Sequence, residues 1–427
     1  MRGRYFRYLF ENLDGGLFHT GSVYDKEHQR ATNYIYMVGS YCRGAFQKRT
    51  VQIYENDTLP ERIDLLVMGG FTVKYIHKFI EIIRGHRIET VVLPYLAPIQ
   101  RLVLTEENKE SGVKAREVTR FLQDPYQFLK EYDIGNIYFL YGNGKIIDRK
   151  PEELEWGYHF ELADRESLLL IREMEGYSIP VARAGYIVEN DWLFYFGVYG
   201  TNIQMMSEFA KNYFSNIENI YKISENINED YVRQTKRLVQ EYYKKFGGSS
   251  VMAIAMFEGP LFTYPSEIDS FFTEKEFCKS EQSEVWMRCN KENCCSCTIS
   301  CVYGKDYDNM QHHKRSREES RFGMLMLGNV NLNRYWSDIM ARFWKVRTRI
   351  RGIGIPNSGS GENWNYQMLR FSAENDRVYW ICVKDDITSA GVISDIVLSA
   401  SNNRFLPIDE GWGCCLSGYI IPKEDID

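Results

Sequence analysis

Residues 64–77 read Asp-Leu-Leu-Val-Met-Gly-Gly-Phe-Thr-Val-Lys-Tyr-Ile-His. The apolar run Ile63–Met68 has strand length and meets a Gly-Gly turn. Behind the turn, Ile76, Phe79, Ile80 and Ile83 recur at helical spacing on one face. A second short strand, Thr90–Leu93, stops at Pro94. Strand, turn, helix and strand make a β-α-β unit. Such units present functional groups on the turn after the first strand.

Two later segments have the same character. Gly323–Asn329 reads Gly-Met-Leu-Met-Leu-Gly-Asn, a strand running into Gly-Asn. Pro356–Ser360 reads Pro-Asn-Ser-Gly-Ser and follows the apolar Ile353 and Ile355. In this order the three segments resemble the metal-site landmarks of the metallo-β-lactamase superfamily. Those are a His-x-His-x-Asp-His turn, a strand ending in Gly-Asp, and Pro-His-His-Gly-Ser. Scaffold residues remain and the ligands are replaced. Gly70 and Thr72 stand at the first two ligand positions, Lys74 at the aspartate and Tyr75 at the last histidine. Asn329 stands for the bridging carboxylate, and Asn357 and Ser358 for the later histidines.

The resemblance spans residues 63–360. It implies an αββα four-layer sandwich, two β-sheets flanked by helices, as a single domain over 1–427. The halves would be 1–246 and 247–427, with the helix breaker Gly247-Gly248-Ser249-Ser250 at the seam and a Cys-rich insert over 278–313.

Zinc needs His, Cys or carboxylate ligands. Glycine has none to offer, Thr, Tyr, Asn and Ser are poor substitutes, and the Lys74 ammonium would repel a second divalent cation. Without a bound metal, water is not activated at neutral pH. The seven histidines are His19, His28, His77, His86, His159, His312 and His313, and none forms a His-x-His pair. The resemblance therefore implies a catalytically inactive pseudoenzyme without a di-zinc site, acting as a scaffold or regulatory subunit on a protein partner. One alternative is a metal-dependent or atypical hydrolase of the same fold, acting on phosphodiester or acyl substrates, the atypical one using Lys74 and Tyr75. A second is a nucleic-acid-binding module.

Six of the ten cysteines fall within residues 278–301. Cys294 and Cys297 have Cys-x-x-Cys spacing, which suits two thiolates facing one ion. Cys289 and Cys301 would complete a structural zinc site, with Cys278 as an alternative ligand. A bare loop of reduced thiols and a redox-labile patch are the competing readings. A four-thiolate site is closed and non-catalytic. Cys-rich inserts before the Gly-Asp strand are similar to those of some bacterial members of the superfamily.

Asn333–Arg351 has helical periodicity, with Ile339, Phe343, Val346 and Ile350 on one face. Arg342, Lys345 and Arg349 form a basic patch on its flank, read as a solvated face or as a surface for phosphate or an acidic partner. The formal net charge of the chain is −6, which gives no global drive toward nucleic acid. No run of 18 apolar residues suggests a membrane span. The basic N-terminus has no apolar core of a secretory signal. The expectation is a cytoplasmic protein with reduced thiols.

Overall fold

The computed structural model describes residues 4–13, 16–25, 30–38, 61–107, 113–142, 149–200, 202–213, 229–246, 252–261, 268–278, 322–356, 363–368, 378–383, 404–408 and 412–422. The N-terminal strands are β1 (Arg4–Leu13), β2 (Gly16–Asp25), β3 (Arg30–Val38) and β4 (Arg62–Gly70). Then come α1 (Val73–Gly85), β5 (Arg87–Pro94), α2 (Pro98–Glu107), α3 (Val113–Gln123), α4 (Pro125–Lys130), β6 (Ile134–Leu140) and β7 (Gly157–Leu162). The middle of the chain supplies α5 (Arg165–Glu175), β8 (Val181–Glu189), β9 (Trp192–Gly200), α6 (Ile203–Tyr213), α7 (Glu229–Phe246), β10 (Met252–Pro260) and β11 (Ile268–Cys278). The last elements are β12 (Gly323–Met326), α8 (Leu332–Phe343), β13 (Ile350–Gly354), β14 (Tyr379–Val383), β15 (Arg404–Ile408) and β16 (Trp412–Pro422).

The β-α-β unit is present. Strands β3, β4, β5 and β6 pair in parallel. Parallel strands are covered on both faces, so β4 is an unbroken apolar run rather than an alternating one. Helix α1 turns Ile76, Phe79, Ile80 and Ile83 into the core, each at most 3% exposed. Local chemistry sets the ends of other elements. Asp164 caps α5 by accepting from the Ser167 amide at 2.8 Å, and Gly176 ends it at φ +78°. Asn190 (φ +52°) and Asp191 (φ +58°) turn β8 into β9, the two left-handed residues that a tight hairpin needs.

The αββα sandwich of two sheets is overturned by the strand pairing. All the strands among the described residues belong to one 16-stranded sheet, and its path runs β11-β16-β1-β2-β3-β4-β5-β6-β8-β9-β10-β12-β13-β14-β15, with β7 attached to β8. A further bridge, Gly70 to Ala253, joins β4 to β10. That bridge closes β4-β5-β6-β8-β9-β10 into a six-stranded barrel. Two wings leave it, one from β4 and one from β10. The separation of sheets fails at β10, whose residues Met252–Pro260 are all buried. An apolar run of this kind fits a barrel wall as well as the middle of an open sheet. Ile254 and Met256 face one core, and Ala255 and Phe257 face the other. Strand β10 lies beyond residue 246 and yet completes a barrel whose other five strands precede it.

One helical boundary also differs from the sequence reading. The helix predicted over Asn333–Arg351 stops at Phe343, continues as 3-10 helix over Trp344–Arg349 and becomes β13 at Ile350. The parallel pairing of Ile353 with Leu325 claims these residues for the sheet.

Candidate site at the closure of the barrel

Strand β4 ends in Gly69 and Gly70, and the chain enters α1 through Phe71 and Thr72. Strand β12 ends nearby and leads through Gly328 to Asn329. A Cβ built on Gly70 would lie 3.2 Å from Asn329 Nδ2 and 3.5 Å from Val38 Cγ2. The structure thus brings together two segments more than 250 residues apart. Gly328 has φ +61°, and a Cβ there would meet the carbonyl oxygens of Gly69 and Ile254 at 2.8 Å each, and the Tyr36 hydroxyl at 2.9 Å. The Tyr36 hydroxyl donates to the Ile254 carbonyl at 2.7 Å. Complete burial holds that phenol far above its ordinary range.

The remaining residues of the predicted pocket are spread out. Thr72 caps α1 through its backbone carbonyl, which accepts from the Tyr75 and Ile76 amides at 3.0 and 3.1 Å. Its side chain makes no capping bond. Tyr75 is 2% exposed, and its hydroxyl fills the space that a Cβ on Gly16 would need, at 2.0 Å. Lys74 lies in the first turn of α1, and its side chain is outside the described residues. Asn357 and Ser358, which follow Pro356 directly, are outside them too. So are Cys289, Cys294, Cys297 and Cys301, while Cys278 ends β11.

The basic patch is not a surface stripe. Arg342 and Arg349 are each 3% exposed, and only Lys345 of the three faces solvent. The Arg342 guanidinium lies 5.9 Å from the Tyr195 ring centroid. Arg349 donates to the carbonyl oxygens of Pro260 (3.0 Å) and Leu261 and pairs with Glu152. The solvated-face reading and the phosphate-binding reading both fail for these two arginines. A spacing of seven residues places both on one side of the helical segment, and that side is the one packed on β9 and β10.

Sequence reading missed two buried polar networks. In the first, His19 of β2 places Nε2 3.2 Å from Glu258 Oε1, and Trp192 Nε1 donates to Glu258 Oε2 at 2.8 Å. His19 and Glu258 are fully buried, and His19 stacks on Phe10 at 4.4 Å. One carboxylate inside the apolar run Met252–Pro260 was the available signal, because a buried acid demands partners. In the second, Arg101 donates twice to Glu175 (2.7 and 2.6 Å), which also accepts from the Tyr95 hydroxyl at 2.8 Å. This pair borders a cavity of about 10 Å³ at the ends of β5 and β6, lined also by Phe71, Phe121 and Tyr177. That volume admits about one water molecule. Nothing local in the sequence marks Arg101 and Glu175 as partners.

Among the described residues, no three or more His, Cys, Asp or Glu side chains group to hold a metal ion. Within the same residues, no helix is long and apolar enough to cross a membrane. Comparison with protein-family models, characterised proteins and solved structures finds no match to this chain.

Proposed function

We propose that this protein is a non-hydrolytic scaffold or regulatory subunit that acts on a protein partner. One observation carries the reading. Where β4 and β12 end together, the described side chains that a Cβ on Gly70 would meet are the Asn329 amide and Val38. Hydrolysis by activated water would need imidazole, thiolate or carboxylate ligands there. The Tyr36 phenol beside the junction is committed to a backbone carbonyl of the barrel wall. The packing at this junction serves closure of the barrel.

The two other readings have less to stand on. Tyr75 is buried beside Gly16, away from any approaching substrate, which weighs against acid–base work. Arg342 and Arg349 are spent inside the protein, which removes two of the three cations that a nucleic-acid surface would use.

The test is metal analysis joined to turnover. Protein loaded with zinc or manganese is assayed on a chromogenic phosphodiester and a chromogenic ester. No metal-dependent turnover is expected. The zinc content should be about one per chain or none, and any zinc should vanish in the Cys294→Ser/Cys297→Ser variant. Turnover that needs metal and survives that double substitution defeats the proposal.

A further inference from the structure

We propose that the barrel end where the β2–β3 hairpin meets the β8–β9 hairpin is a proton-operated latch, and that protonation of Asp64 tightens it. The inference goes beyond the scaffold reading and stands without it. Polar contacts hold the two hairpins to each other and to β4. Arg30 of β3 pairs with Glu189 of β8, and Asn190 Nδ2 donates to Thr32 Oγ1 at 2.6 Å. Thr32 and Asn190 are both buried. The Asn33 amide of β3 donates to Asp64 Oδ2 at 2.8 Å, and the Asn33 side chain donates to the Arg62 carbonyl at 3.4 Å.

Strand register decides which charges meet there. Ile63 pairs with Ile88 and Leu65 with Thr90, so Asp64 of β4 comes level with Glu89 of β5. Arg62 reaches both, at 3.0 Å from Asp64 Oδ1 and 3.4 Å from Glu89 Oε2. Asp64, Glu89 and Glu189 thus bring three negative charges, against two positive ones from Arg30 and Arg62. Burial pushes the Tyr158 phenol of β7 up, and all three carboxylates add to that rise. Asp25 of β2 stands opposite Arg4 and Arg30 in the strand register.

The excess negative charge falls on Asp64. Its side chain is 4% exposed, against 16% for Glu189 and 35% for Glu89. A buried carboxylate that is incompletely compensated favours its neutral form. Burial raises Asp64 above its ordinary 3.8 against the pull of the Asn33 amide, Arg62 and Arg30, and Glu89 adds to the rise. Burial raises Glu189 too, but a proton there would cost the Arg30 pair. A proton from solvent adds to Asp64 Oδ1, while Oδ2 remains a carbonyl oxygen that accepts from Asn33. Arg62, which is half exposed, turns wholly to Glu89. Two balanced pairs then remain, Arg30 with Glu189 and Arg62 with Glu89. Opening the hairpins returns Asp64 to water and to its ordinary value, so closing them takes up a proton. The latch is tightest in acid and loosens as pH rises through the value of Asp64 in the closed state.

Two measurements on the full chain test the proposal. NMR of carboxyl-labelled aspartate, with Asp64→Asn assigning the resonance, should find Asp64 titrating above 3.8. Glu89→Gln should lower that midpoint and Arg62→Gln should raise it. Amide hydrogen exchange in the β2–β3 hairpin, corrected for intrinsic chemistry, should slow as pH falls, by up to about tenfold for each pH unit crossed. Asp64→Asn should remove that dependence. An Asp64 midpoint at or below 3.8, or one that Glu89→Gln leaves in place, overturns the proposal. So does hairpin exchange whose pH dependence survives Asp64→Asn.

Discussion

Replacing Gly328 by Ala tests the closure of the barrel directly. At φ +61° a residue with a Cβ pays about 1–2 kcal/mol for the left-handed conformation. The same Cβ would stand 2.8 Å from two backbone carbonyls, Gly69 of β4 and Ile254 of β10. Neither can swing aside as a side-chain tip can, because both belong to barrel strands. Forced overpacking adds about 1–3 kcal/mol. The substitution should therefore cost about 2–5 kcal/mol. Unfolding entropy near 2.1 cal/mol/K per residue gives about 0.9 kcal/mol/K for 427 residues, so the melting temperature should fall by about 2–6 °C. Differential scanning calorimetry reads this, with Gly85→Ala as the internal control. Gly85 closes α1 with nothing within 4 Å of a built Cβ, and alanine there should be neutral or stabilise by up to about 1 kcal/mol. Hydrogen exchange should also quicken at Gly70 and Ala253, the bridge beside the lesion. If Gly328→Ala melts like the parent, or no lower than Gly85→Ala, the account of how β4 and β10 meet is wrong.

Glu258→Ala should cost about 2–5 kcal/mol in urea unfolding, since Trp192 and His19 lose a buried carboxylate partner, and Glu258→Gln should cost less. Equal stability of the alanine variant and the parent would remove the network from the account of the core. Arg349→Ala should cost about 3–5 kcal/mol by stripping the carbonyls of Pro260 and Leu261 and the carboxylate of Glu152. Lys345→Ala should stay within about 0.5 kcal/mol, and the reverse ranking would mean that the basic side chains face solvent after all. Burial pushes the Cys382 thiol up to about 12 from an ordinary value of 9.0. A raised folded value means stability that is complete below pH 9.0 and is lost as pH climbs toward 12, at about 1.4 kcal/mol per pH unit. The stability gap between the parent and Cys382→Ala should shrink across that window, and a constant gap would place the thiol in solvent.

The sequence determined by itself what each segment does locally. Periodicity marked the buried face of α1, and the continuous apolar run Ile63–Met68 marked β4. It also displayed the residue types at the turn after β4, because these are visible without any fold. Only the tertiary structure decided how the strands are joined. A side-chain pattern tells which faces are buried, but it does not tell which backbone supplies the next row of hydrogen bonds. So an expected pair of sheets became one sheet with a closed barrel, through a single bridge at Gly70 and Ala253. The same limit governed charge. Arg342 and Arg349 read as a solvent-facing flank by spacing, yet both are buried, because burial depends on what packs against a face and that is contributed from elsewhere in the chain.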